Sequence, residues 1–220
     1  MSTNTLGQGK RKQRGRRRPA PCNDEAMPAQ DEFRPLGPEL TIRMPEGGFT
    51  VADLLAMPES QYRIELTDGA ITVSPSPSRP HQFMAGKLFY LLYEASTDDY
   101  TVNQAVDVQL GEEVTRIPDV LIARAGVATD GLLYQAEDVV VAIEVESPTS
   151  GWNDRKLEPG IYANRELPYY WRIELKPEPI GIIHRWENGG YVEVARGPRI
   201  EVTEPFPFKV DLADLVDRKS

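Results

Sequence analysis

Arg116-Ile-Pro-Asp-Val-Leu-Ile-Ala-Arg124 and Asp138-Val-Val-Val-Ala-Ile-Glu-Val-Glu146 are the two stretches whose reading decides the fold. Both are short, nearly unbroken apolar runs rich in β-branched residues, so they read as strands buried on both faces, Ile117–Ala123 and Asp138–Glu146. The second is expected to be central. Each also carries an acid where an acid is expensive. Asp119 follows Pro118 and precedes Val120-Leu-Ile122, and Glu144 follows Ile143 and precedes Val145. A carboxylate in such surroundings costs free energy unless it is paired or binds a cation.

Upstream, Tyr62-Arg-Ile-Glu-Leu66 alternates like a strand. Thr67-Asp-Gly69 is a turn signal and Ala70-Ile-Thr-Val73 a returning strand, so the three read as a hairpin that places a third acid, Glu65, between Ile64 and Leu66. Thr50-Val-Ala-Asp53 has the form of a helix start that runs to about Met57. After a Ser/Pro loop from Ser74 to Pro80 the period changes. From about His81, residues Met84, Leu88, Leu91, Leu92 and Ala95 fall on one helical face. Thr101–Leu110 then reads as one strand.

Downstream, residues 152–165 read as a helix interrupted by Pro159-Gly160. Proline is comfortable only in a first turn, so the regular helix starts near Glu158, with Trp152–Leu157 as its approach. Tyr169–Leu175, Ile180–Trp186 and Tyr191–Ala195 read as strands, and Val210–Val216 as a short helix. The order predicts an α/β protein, a mixed central sheet with helices against it.

The 220 residues suit one domain plus a tail, with 40% hydrophobic and 27% charged residues. Residues 1–40 are expected to be a disordered basic, Pro-rich tail and 41–220 the domain. No apolar run approaches a membrane span. One cysteine, Cys22, excludes an internal disulfide and fits a reducing cytoplasmic setting. The net charge of −9 is uneven. Lys10, Arg11, Lys12, Arg14, Arg16, Arg17 and Arg18 give the first 18 residues +7, which leaves −16 for the rest. The body does not have the charge of a strong nonspecific nucleic-acid binder; the tail is either a source of phosphate contacts or a solvated extension. A nucleophile elbow, a paired-histidine zinc motif and a Gly-rich phosphate loop are absent, and the histidines are His81 and His184 alone.

Glu65, Asp119 and Glu144, carried by neighbouring strands, converge in this reading on one hard cation, Mg²⁺ or Mn²⁺, which prefers oxygen ligands. Taken singly, each acid is as readily a solvated or ion-paired strand end. Pro118-Asp119 followed by Glu144-Val145-Glu146 resembles the bipartite signature of the PD-(D/E)XK nuclease superfamily. The wider set narrows it. Tyr62-Arg-Ile-Glu-Leu-Thr-Asp-Gly69, His81, Arg116-Ile-Pro-Asp-Val120, Ile143-Glu-Val-Glu-Ser-Pro148, Asp154-Arg155, Tyr162 and Leu167-Pro-Tyr-Tyr-Trp171 resemble the Uma-type restriction endonuclease branch across roughly residues 50–176.

The resemblance implies a restriction-endonuclease-like fold and a metal-dependent endonuclease acting on DNA, a class that often works as a homodimer. It implies Asp119, Glu144 and the backbone carbonyl of Val145 as metal ligands and Glu65 as an additional active-site acid. His81 belongs to the pattern and is either a site contact or a packing residue. The pattern is broken in one respect. The superfamily lysine two residues after the second acid is Glu146 here. The lysine that the branch places four residues before Tyr162 is Glu158. Lys156 is the candidate replacement for its charge-stabilising role, in reach only if its segment is irregular. Glu146 either joins Glu144 on the same strand face or pairs with Arg155 or Lys156. Trp152, Tyr169, Tyr170 and Trp171 are core residues in the simpler reading and base-stacking platforms in the other. The competing function is a nuclease-like module without cleavage that binds nucleic acid or a protein partner; a metal hydrolase of another class is the weakest reading.

Overall fold

The two quoted stretches do become adjacent buried strands in the computed structural model. It describes residues 45–58, 62–74, 76–127, 132–146 and 157–217. Elements run α1 (Val51–Leu55), β1 (Arg63–Thr67), β2 (Ala70–Ser74), α2 (Arg79–Ala95), β3 (Tyr100–Gln104), β4 (Asp107–Gln109), β5 (Thr115–Arg116), β6 (Val120–Arg124), β7 (Leu133–Gln135) and β8 (Val139–Val145). They continue with α3 (Glu158–Ala163), β9 (Tyr169–Glu174), β10 (Ile180–Glu187), β11 (Gly190–Gly197), β12 (Arg199–Val202) and β13 (Phe208–Asp211).

The central sheet has the order β11-β10-β9-β8-β6-β3. Only β8–β9 is parallel among its pairs, so the sheet is mixed, as expected. All seven residues of β8 are buried, which fits a run with no polar alternation apart from Glu144. Because side chains alternate across a strand, the sheet has two apolar faces. One, with Ile122, Val141, Ile143 and Trp171, packs under Met84, Leu88 and Leu92 of α2 and under Phe208 and Leu212. The other, with Leu121, Ala142 and Tyr170, packs with Leu110, Tyr134 and Tyr162 of α3. Burial of each of Leu88 and Leu92 contributes about 1.5–3 kcal/mol. The helix and sheet periods thus meet along the same stripe. Trp171 and Tyr170 are fully buried, which favours their core reading.

The structure departs from the sequence reading in several elements, and strands β7 and β12 answer to no expected element. Thr101–Leu110 is two strands in different sheets, because the chain turns at Ala105, whose φ of 53° breaks the extended run. Helix α2 starts at Arg79 rather than His81; Pro80 sits in its first turn, where its missing N–H costs nothing. Residues 210–216 begin as strand β13 and close as a single 3₁₀ turn, Leu212–Leu215, so no α-helix forms there. The expected hairpin does form, as β1–β2, and makes a two-stranded sheet of its own. Thr50 and Asp53 do cap α1 reciprocally, with the Thr50 amide donating to Asp53 at 2.8 Å. Among the described residues no helix is long and apolar enough to cross a membrane. The expected tail, 1–40, lies outside the described residues.

Candidate active site

Antiparallel pairing of β6 with β8 places Val120 opposite Ile143. One step further along that register, position 119 faces position 144. Proline at 118 has no N–H, so the ladder stops there. The Asp119 carboxylate takes up the next donor: its Oδ2 accepts from the Val145 amide at 2.8 Å. The same oxygen meets His81 Nε2 at 2.9 Å. A carboxylate only accepts, so Nε2 is the protonated ring nitrogen in this contact. Helix α2 supplies His81 from its first turn, buried to 5% exposure, with Nδ1 buried and without a hydrogen-bond partner. His81 is thus both buried and in contact with Asp119.

Glu144 lies on the α3 face of the sheet with Ala142, two residues away. Its Oε1 accepts from the Tyr162 hydroxyl at 2.9 Å. Complete burial, with Glu144 and Glu158 beside it, pushes the Tyr162 hydroxyl pKa well above the ordinary tyrosine value, so it remains a donor. Glu65 comes from the separate hairpin, and its Oε1 accepts from the Ile117 amide at 2.8 Å. The hairpin is thereby tied to the segment that leads into Asp119.

Two arginines complete the arrangement. Arg63, two residues from Glu65 and therefore on its face of β1, places Nη1 3.3 Å from Asp119 Oδ1 and Nη2 3.8 Å from Glu65 Oε1. Nη2 also donates to the Ile117 carbonyl. Burial opposes the Arg63 charge, but Glu144, Glu65 and Asp119 together outweigh it and hold the guanidinium pKa above its ordinary value. Arg116 is buried at 3% exposure. Its Nε meets both carboxylate oxygens of Glu158, at 3.1 and 2.8 Å, and its other nitrogens donate to the Leu66 and Thr115 carbonyls and to Thr67 Oγ1. The position where the resemblance expects a lysine is thus the acidic half of a buried ion pair that joins α3 to β5 and β1.

Asp119, Glu144, Glu65, His81 and Val145 are therefore brought to one locality. Glu158 stands behind it with Arg116. Glu146 follows β8, and its amide donates to the Ile173 carbonyl at 2.8 Å. Lys156, Arg155 and Trp152 lie outside the described residues. The sequence reading passed over the chemistry of Arg63, although its i−2 relation to Glu65 is a legible signal. It also passed over Asp107, whose carboxyl is pushed up to about 6, first by burial and then by Glu65, with Arg63 opposing. As the side chains stand, no three His, Cys, Asp or Glu groups among the described residues form a set that could hold a metal. Asp119 and Glu65 face a guanidinium instead.

A family model described as "Uma2: Putative restriction endonuclease" matches residues 51–214. Among solved structures, the chain resembles one described as a putative nuclease belonging to DUF820 from Anabaena variabilis ATCC 29413. The two share 15% identity with a TM-score of 0.61, over 76% of this chain and 97% of that one. No curated protein matches.

Proposed function

The chain belongs to the Uma2 restriction endonuclease family, and from that premise we propose that it is an endonuclease hydrolysing phosphodiester bonds in DNA at the acids around Asp119. The observation that carries this reading is the opposition of Asp119 and Glu144 across β6 and β8, with Asp119 held by three donors from three different elements. Such fixing is what a reacting site needs, since an error of about 1 Å in placement can cost a hundredfold in rate. Glu65 is proposed as an additional active-site acid and His81 as the residue that orients Asp119.

Mg²⁺ or Mn²⁺ is the proposed cofactor, with Asp119, Glu144 and the Val145 carbonyl as its ligands. Such an ion, when bound, neutralises charge on a phosphoryl oxygen. Lys156 is the proposed charge stabiliser. A cytoplasmic location and a homodimer able to address both strands complete the proposal; light scattering of the purified protein measures the latter.

A second reading, a nuclease-like module that binds without cutting, is favoured by one observation: the Arg116–Glu158 pair stands where the family pattern expects a free cation. Incubation of supercoiled plasmid with the full chain in Mg²⁺, Mn²⁺ or EDTA separates the two. The enzyme reading expects nicked and linear products with metal, none in EDTA, and none from Asp119→Ala. Salt-sensitive plasmid binding without any cleavage sinks it in favour of the binding module. A parallel single-stranded RNA substrate tests the choice of nucleic acid.

A further inference from the structure

Helix α2 buries one face and leaves the other to solvent. His81, Met84, Ala85, Leu88 and Leu92 are buried. Opposite them, Arg79, Phe83, Tyr90 and Glu94 follow one another at steps of four, seven and four, which return to nearly the same side of a helix. Tyr90 is 57% exposed and Tyr93, almost one turn on, 58%. Glu94 is exposed. Arg79 is also exposed; its Nη2 lies 2.6 Å from Asp217 Oδ2, and a guanidinium has further donors to give. Lys87 leans to one side of the stripe, donating to the Asp214 carbonyl at 3.0 Å and lying 4.8 Å from the centre of the Phe83 ring. Gly86 sits in the middle of this face. A glycine inside a helix costs stability relative to alanine. Among the described residues nothing calls for it: a Cβ at position 86 would meet no neighbouring group within 4 Å.

We propose that a second copy of this chain packs on this face, α2 against α2, antiparallel about a two-fold axis through the step between Gly86 and Lys87. The stripe is self-complementary about that point. Arg79 and Glu94 lie equally far from it on either side, and so do Phe83 and Tyr90. The axis therefore sets Arg79 against Glu94 of the second copy and Phe83 against Tyr90 of the second copy, and does so twice. Opposite charges close both ends and aromatic rings fill the middle, the arrangement of a polar rim around an apolar centre. Gly86 lies at the crossing, where the absence of a side chain lets two helix backbones approach closely. A partner of another sequence would need none of this symmetry. The surface serves the homodimer proposed above and rests on that part of the reading alone. The acids around Asp119 lie on the other side of α2, behind His81.

The test is sedimentation velocity of the full chain over a wide range of concentration. Wild type is expected to pass from monomer to dimer. Glu94→Arg and Arg79→Glu each bring like charges together at both ends of the contact, and each is expected to dissociate at least about tenfold more readily. Mixed in equal amounts, the two variants restore both opposite-charge contacts, so the mixture is expected to return to within about threefold of wild type. A variant that had merely lost its fold would not be rescued by mixing. Gly86→Leu is expected to lose the dimer while melting no lower than wild type at high dilution, because leucine favours a helix more than glycine does. Dimers of wild-type strength from Gly86→Leu or from either charge variant overturn the interface and leave the homodimer to another surface. A mixture that associates no better than its components does the same. A wild type that stays monomeric throughout removes the homodimer and the interface together.

Discussion

Asp107 is the residue whose ionisation most plainly marks the cost of collecting acids in one place. Burial first, and Glu65 second, raise its carboxyl to about 6, with Arg63 pulling the other way. Between the ordinary carboxylate value and about 6, the folded protein holds a proton that the unfolded chain has already lost. Native stability from this group is therefore present at low pH and declines as pH rises through that window. Asp107→Asn is expected to melt higher than wild type at pH 8 in EDTA, by of order 1 kcal/mol after allowance for solvent screening, and to match it near pH 4. A gap that does not change with pH would show that the carboxyl carries no such penalty. Asp107 could not be picked out in the sequence, because it sits in a polar-alternating strand where an acid is unremarkable. Asp119 and Glu144 could be, since each interrupts an apolar run. Glu158 was legible as a departure from the family pattern, but its buried partner was not: Arg116 lies 42 positions away. Breaking such a pair leaves an uncompensated buried charge, which costs about 3–5 kcal/mol.

At the scale of elements, the hairpin β1–β2 carries Arg63 and Glu65 to the acids from outside the central sheet. Its turn runs through Asp68 (φ 48°) and Gly69 (φ 75°), two successive positive φ values that fit a type I′ turn and follow the twist of the strands. A side chain at 69 would meet strained backbone and the Gly48 Cα at 3.2 Å. Gly69→Val is expected to cost roughly 1–2 kcal/mol or more and to speed amide exchange across residues 63–74 ahead of the central sheet. Uniform loss of protection over β8 and β9 as well would mean that the hairpin is not a separable unit. This turn was readable from Asp-Gly alone. The break between β3 and β4 was not, because Ala105 adopts its positive φ with no residue type to announce it; its amide donates to the Asp119 carbonyl at 3.3 Å. Strands β7, β12 and β13, three or four residues long, are too short for a period of two to declare itself.

At the scale of the whole molecule, the site is assembled by topology rather than by any local motif. Segments at 63–65, 81, 116–119, 144–145 and 158–162 meet because β6 and β8 pair antiparallel, α2 caps one side and α3 the other. The mixed sheet and the identity of its central strand were legible because apolar runs without alternation have one favourable place in such a fold. The cation facing the acids was legible only as a neighbour of Glu65 on one strand; its contact with Asp119 was not, since it arrives from a sheet of its own. The most direct measurement is an anomalous-difference map from crystals of the full chain grown with Mn²⁺. The account predicts a peak at the carboxylates of Asp119 and Glu144. A Mn²⁺ peak only elsewhere on the protein, or none at all, would contradict it.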